Sequence, residues 1–370
     1  MLTIITAFLL VQILAFIGRY SKGQVRTICT DQNKIVYYDG NNKIYWALFW
    51  ILAGIAGFRE GFVDTNSYRN IYETVGTDFS MVTDDNLRVE KGFRFICYLL
   101  NHLSKNSQLL LFIVAIFVTF SFFKFIDRYS INRWFSVIIF FLTIYLTTMN
   151  TMRQYIVVGV LLLSLPLLNK GKWWLFVLIS LLLTLVHSTA IFAALAILLS
   201  RGKFLNRRML IVIGCTIVFV FTPANSFLSM LQTADIQDYA EMYEVLNKGG
   251  VNILRLAVQA VPVILAAIYF HMYGRESLNS EYSMFANLSV LNLIAYIFST
   301  KSNYLARIAV YFEVFNLIMI PFFISKIIRD NQVRVMNAIA VVLYSIYFYY
   351  VIRGFGTYSV DLLNPYFFGG

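Results

Sequence analysis

From Leu109 to Ile126 the chain carries a single charge, Lys124, in an otherwise apolar run. Similar runs recur at Leu2–Ile17, Ile44–Phe58, Trp134–Leu146, Tyr155–Leu168, Trp173–Ser200, Leu210–Phe227, Ile253–Tyr273, Met284–Phe298, Ile308–Ile328 and Val335–Ile352. A span needs roughly 20 apolar residues. In lipid every backbone N–H and C=O must find its partner inside the protein, so such runs are read as helices. With 59% hydrophobic residues, 13% charged and a mean hydropathy of +0.70, the chain carries more apolar surface than a soluble fold of this length can bury. The expectation is an all-α polytopic membrane protein, a single integral membrane domain over residues 1–370. Met1–Ile17 lacks a basic leader and reads as a first span, not a cleaved signal.

Loop charge sets the orientation. The segments Arg19–Lys43, Lys124–Arg133, Arg201–Arg208 and Lys326–Arg334 are basic and are placed in the cytoplasm. Two acidic segments then fall outside: residues 59–106, with Glu60, Asp64, Glu73, Asp78, Asp84, Asp85 and Glu90, and residues 230–252, with Asp235, Asp238, Glu241 and Glu244. Gly92–Leu103 is too short to cross and reads as an interfacial or re-entrant helix in the first of these. Trp173–Ser200, about 28 residues, is interrupted by His187-Ser188-Thr189; two short helices meeting at a polar external break are expected there. The alternation gives about twelve crossings with both termini outside. The net charge of +11 follows from these loops, and nucleic acid is not an expected partner. Cys29, Cys97 and Cys215, like His102, His187 and His271, are scattered, so neither a disulfide scaffold nor a metal site is expected.

On this topology the unusual polar residues gather on the outer face. Arg59, Glu60, Asp64, Tyr68 and Glu90 belong to the first external segment. Arg153 and Gln154 start an inward helix, His187 lies at the break, Arg255 and Arg307 stand at the outer ends of later spans, and Glu313 lies below Arg307. One arginine at a span end can simply snorkel, and a lone histidine in an apolar run can be a packing residue. Arg59, Arg153, Arg255 and Arg307 together run against the positive-inside bias. Guanidinium groups bind phosphate oxygens bidentately, so this face suits an anionic lipid headgroup.

Several of these pieces, in order, resemble the EpsG-like exopolysaccharide and O-antigen polymerases. They are Gly57-Phe58-Arg59 with Asp64-Thr65-Asn66-Ser67-Tyr68, Glu90-Lys91-Gly92-Phe93, Met152-Arg153-Gln154, Val186-His187-Ser188-Thr189-Ala190, Arg307 with Tyr311-Phe312, and Asn364-Pro365-Tyr366. Lys91 stands where the family commonly has proline. The resemblance implies a GT-C-like helical fold and a metal-independent, inverting glycosyltransferase without cofactor, working on the external face of the cytoplasmic membrane. Donor and acceptor would be oligosaccharides on undecaprenyl pyrophosphate, with membrane lipid around them and a chain-length regulator as a further candidate partner. Arg153, Arg307 and Arg59 would meet charge developing on the leaving pyrophosphate. His187 is the first candidate base, since an imidazole titrates near pH 6.5, with Asp64, Glu60 and Glu90 as alternatives. Glu60, Glu90, Gln154 and Arg255 would bind substrate, and Tyr68 and Tyr311 would stack on sugar rings. A lipid-linked oligosaccharide flippase and an O-antigen ligase are the competing readings.

Overall fold

The computed structural model describes residues 2–23, 25–30, 33–221, 251–274, 277–300, 306–354 and 359–360. Most of the expected second external loop, 230–252, lies outside the described residues, as do Lys301 and the Asn364-Pro365-Tyr366 tail. The chain forms two compact units, Met1–Ile191 with Arg334–Gly370, and Phe192–Val333.

In the first unit α1 (Leu2–Tyr20) leads into an antiparallel hairpin, β1 (Val25–Thr30) with β2 (Asn33–Tyr38), paired from Val25↔Tyr38 to Thr30↔Asn33. Next come α2 (Asn42–Gly57), β3 (Arg59–Gly61), α3 (Thr65–Val75), α4 (Ser80–Thr83), α5 (Lys91–Asn101) and α6 (Gln108–Tyr129). They are followed by α7 (Arg133–Asn150), α8 (Met152–Asn169) and α9 (Trp173–Leu183). The second unit holds α10 (Ala190–Ser200), α11 (Arg207–Phe221), α12 (Ile253–Tyr273), α13 (Ser280–Ser299), α14 (Ala306–Glu313) and α15 (Asn316–Ile327). The chain returns through α16 (Asp330–Gly354) to β4 (Ser359–Val360), which pairs with β3. The structure is mostly helical, as expected, and carries two small ribbons besides. The first lies in what reads as a plain basic loop, where V-R-T-I-C-T and N-K-I-V-Y-Y are rich in β-branched and aromatic residues.

Among the described residues seven helices are long and apolar enough to cross a membrane, or eight if α14 and α15, bent by 54°, form one broken span. That is fewer than the expected twelve, because α2, α9, α10 and α11 run for only 16, 11, 11 and 15 residues. The Trp173–Ser200 run does divide into two helices at the expected break.

Lipid gives apolar helix faces no reason to leave it, so close packing and polar ties must hold the helices together. Tyr45 of α2 donates to the Phe123 carbonyl of α6 at 2.7 Å, and Tyr145 of α7 donates to the Leu52 carbonyl of α2 at 2.7 Å. Gly159 of α8 lets that helix approach α6, where an added Cβ would meet the Phe117 ring at 2.9 Å. Between Phe141 and Tyr145 helix α7 widens into a π-turn.

The ends of α2, α6 and α7 meet in two clusters. At one, Arg133 is fully buried. It contacts Asp39 at 2.9 Å, Asp127 at 3.2 Å and Asn42 at 3.0 Å, and its guanidinium lies 4.4 Å from the centre of the Tyr45 ring. At the other end, Gly57, Arg59, Gln108 and Met149 come together.

Candidate active site

The second cluster begins with Arg59, buried to 1% exposure just past α2. Its Nε donates to Thr65 Oγ1 at 3.1 Å, Nη1 to the Ala56 carbonyl at 2.5 Å and Nη2 to the Met149 carbonyl at 3.3 Å. Thr65 in turn closes its own turn, donating to the Phe62 carbonyl at 2.7 Å. Arg59 thus ties the start of α3 to the end of α7. Its guanidinium is engaged with Thr65 and with the Ala56 and Met149 carbonyls inside the protein.

Within this turn Val63 adopts φ = +40°, a conformation unfavourable for a β-branched residue. Strain of this kind typically costs about 1–3 kcal/mol and collects at functional sites. The next residue, Asp64, is half-buried at the start of α3, and its carboxylate makes no capping bond. One turn on, Tyr68 is buried, donates to the Asn150 carbonyl at 3.1 Å and packs edge-on against Phe93. Burial raises the pKa of its hydroxyl above the ordinary value, and the neighbouring Arg153 opposes the rise. Tyr68 is therefore packed against Phe93 and tied to the end of α7.

Helix α5 is docked rather than free. Buried Arg94 donates to the carbonyls of Met81 and Asp84 at 2.7 and 2.6 Å, and Asn101 reaches the Tyr72 carbonyl at 2.9 Å. Its N-terminus meets the turn between α9 and α10. The Gly92 N–H donates to the Leu185 carbonyl at 2.7 Å, and a Cβ at Gly92 would stand 2.6 Å from that same oxygen. Only glycine allows the two backbones to come this close.

This docking brings Glu90 to His187. Glu90 Oε1 accepts from His187 Nδ1 at 2.7 Å and from the Ser188 N–H at 3.2 Å, while Oε2 pairs with Arg153. The three side chains are partly covered, with exposures of 19% for Glu90, 12% for His187 and 25% for Arg153. Burial pushes the Glu90 carboxyl up, but the His187 hydrogen bond and the Arg153 charge outweigh it and hold the group at about 2, below its ordinary 4.5. The α5 N-terminus also favours negative charge there. An ionised carboxylate only accepts, so Nδ1 carries the hydrogen, and in the neutral imidazole the lone pair is then on Nε2. Nε2 is shielded from water and has no hydrogen-bond partner among the described residues. A buried polar atom left in this way is uncommon and calls for an explanation.

The other expected site residues are distributed as follows. Gln154 is buried on α8 beside Arg153, and Glu60 is exposed. In the second unit Arg307 is exposed on α14 and Arg255 is half-buried at the start of α12. Tyr311 is buried at 4% exposure. The first unit thus brings together Arg153, Glu90, His187 and Tyr68, with Asp64 near Tyr68.

The EpsG family model matches residues 42–368, from the start of α2 past the end of α16. The chain belongs to the EpsG family. No curated protein and no solved structure matches it. Membership in the EpsG family suggests an exopolysaccharide polymerase-type function, a glycosyltransferase-type polymerization of lipid-linked oligosaccharides. Within this EpsG-family chain, sequence reasoning found the arginine, the histidine and Glu90, the last as an alternative base and a substrate-binding residue, but missed that Glu90 joins the other two. Glu90 stands among many acidic residues of one segment, and its signal was the glycine two positions on.

Proposed function

We propose that the protein polymerises oligosaccharide repeat units carried on undecaprenyl pyrophosphate, by inverting, metal-independent glycosyl transfer on the external face of the bacterial cytoplasmic membrane. The observation that supports this most is the buried, unpartnered Nε2 of His187, aligned by Glu90 beside Arg153. In the proposed step the acceptor's hydroxyl oxygen attacks the donor's anomeric carbon from the face opposite the pyrophosphate. As the new C–O bond forms, the hydroxyl proton passes to His187 Nε2, which the acceptor hydroxyl supplies with its missing partner. The anomeric carbon–phosphate oxygen bond breaks and its electron pair leaves with the pyrophosphate. Arg153 stabilises that developing charge; Arg307 and Arg255, in the second unit, are proposed as further contacts for substrate phosphate. Glu90 orients the imidazole and stabilises its charged form.

The proposed topology keeps both termini and residues 59–106 outside, with α5 lying at the interface and 230–252 as a second outer loop. Counting α2, α9, α10 and α11 as crossings, beside the seven long helices and the bent pair, gives the twelve of a GT-C-like arrangement. The test is reconstitution into liposomes with purified undecaprenyl-pyrophosphate repeat units. A polymer ladder from the unaltered chain that vanishes in Arg153→Ala and His187→Ala supports the reading. Movement of the lipid-linked unit across the bilayer without any ladder replaces it with a flippase, and transfer only to a lipid A-core acceptor replaces it with a ligase.

A further inference from the structure

The second unit contains a buried ionisable group that the proposed step does not use. Glu313 ends α14 at the bend of the broken span and is 4% exposed. An ionisable group on a membrane-crossing helix is costly and is by default a sign of function. Its two oxygens are held from different sides. Oε1 accepts from Gln259 Nε2 at 2.7 Å, and Oε2 accepts from the Tyr296 hydroxyl at 3.0 Å.

Behind Gln259, the side-chain amides of Asn292 and Asn316 donate to Gln259 Oε1 at 2.7 and 3.1 Å. In front of Tyr296, Arg255 Nη2 donates to the same hydroxyl oxygen at 3.0 Å, with its guanidinium carbon 5.1 Å from the ring centre. The chain of bonds therefore has one direction: every donor points toward Glu313. Gln259, Asn292, Tyr296 and Asn316 are all buried, whereas Arg255 is half-buried at the head of α12. That head is fixed to the end of α13 by the Val251 N–H, which donates to the Ser299 carbonyl at 2.8 Å. The Tyr296 hydroxyl, which donates to Glu313 and accepts from Arg255, links the buried carboxyl group to the guanidinium and fixes its orientation.

We propose that Glu313 is a positioning residue for Arg255, holding the guanidinium through Tyr296 so that it meets the phosphate groups of the lipid-linked substrate. This rests on the polymerase reading above. Glu313 itself touches no substrate. It removes the rotamer freedom that an unanchored arginine would lose on binding.

The test uses the full chain in liposomes, with undecaprenyl-pyrophosphate repeat units as substrate. Tyr296→Phe removes one hydroxyl and keeps the ring. Together with Glu313→Gln it is expected to raise KM about tenfold with kcat little changed, the pattern of lost substrate binding. Glu313→Asp recovers part of the loss. In an Arg255→Lys background neither change adds anything, because residues acting as one unit are not additive. A wild-type KM in Tyr296→Phe, or an increase of the same factor with and without Arg255→Lys, overturns the proposal. If Glu313→Gln does not fold, Tyr296→Phe alone decides. If the unaltered chain makes no polymer, the polymerase reading has failed by itself. Binding of inorganic pyrophosphate to the detergent-solubilised chain then tests the positioning claim: Arg255→Lys and Tyr296→Phe should weaken it equally, and unchanged binding in Tyr296→Phe overturns it.

Discussion

Two arginine–carboxylate clusters stand at opposite ends of the helices α2, α6 and α7, and they are built differently. Around Arg133 the contacts with Asp39, Asp127, Asn42 and the Tyr45 ring enclose a guanidinium exposed to only 1%. Around Arg153 the pair with Glu90 is partly open, and the carboxylate also holds a histidine whose second nitrogen lacks a partner among the described residues. Arg59, close to the second cluster, resembles Arg133 in being buried and engaged with backbone. Burial and charge alone therefore do not separate scaffold from site. The difference lies in access and chemistry: the Arg133–Asp39 pair is sealed at 1% exposure, whereas the partly open Arg153–Glu90 pair holds an imidazole, a group able to take a proton from a substrate.

The largest effect should come from the sealed end. Arg133→Met leaves Asp39 and Asp127 without their cation, and breaking such a buried pair costs about 3–5 kcal/mol. Thermal unfolding in detergent should show a large fall in midpoint; a fall no greater than that of His187→Ala would remove the structural half of the comparison. At the open end the order reverses. His187→Ala should leave unfolding near the unaltered midpoint while polymer formation drops by about 10²–10⁴-fold, the usual contribution of a general base. A retained rate moves the base role to Asp64, the half-buried carboxylate near Tyr68.

Glu90→Gln separates orientation from proton transfer. It should lower the rate by at most the roughly 10²–10⁴-fold that a general base contributes, with the pH–rate profile displaced as well. A rate loss without displacement would mean that Glu90 acts only on Arg153. Gly92→Ala should cost about 1–3 kcal/mol as overpacking against the Leu185 carbonyl, and hydrogen exchange in the Thr184–Thr189 turn should quicken. No change there breaks the claim that this contact docks α5. The smallest effect is expected from acid. The Glu90 carboxyl titrates at about 2 in the folded chain against an ordinary 4.5. Its stabilisation is thus complete above pH 4.5 and is lost progressively as pH falls toward 2. Exchange at the Gly92 amide should rise through that window.

Much of this was legible in the chain. Long apolar runs dictate helices, and an arginine and a histidine in such surroundings announce themselves. The hairpin at Val25–Tyr38 was hidden because a charged segment between spans is read by its charge before its period. The join between Arg153 and His187 was hidden because it passes through Glu90, 63 and 97 residues away. The burial of Arg59, Tyr68 and Tyr311 could not be read either, since whether a motif residue faces a cavity or a neighbour depends on packing across the unit. For the same reason the polar residues of α12 to α15 look scattered in sequence and converge only in space.

The π-turn at Phe141–Tyr145 sets an angle. A helix with one extra residue in a turn lies about 100° out of phase with the same helix lacking it. Everything downstream of Tyr145 inherits that offset: the Met149 and Asn150 carbonyls that engage Arg59 and Tyr68, then the Thr151 break, then Arg153. Deleting one residue inside the π-turn would restore a regular helix. It would also rotate the Arg153 end of the chain by more than a quarter of a revolution, away from Glu90, without altering any residue of the site.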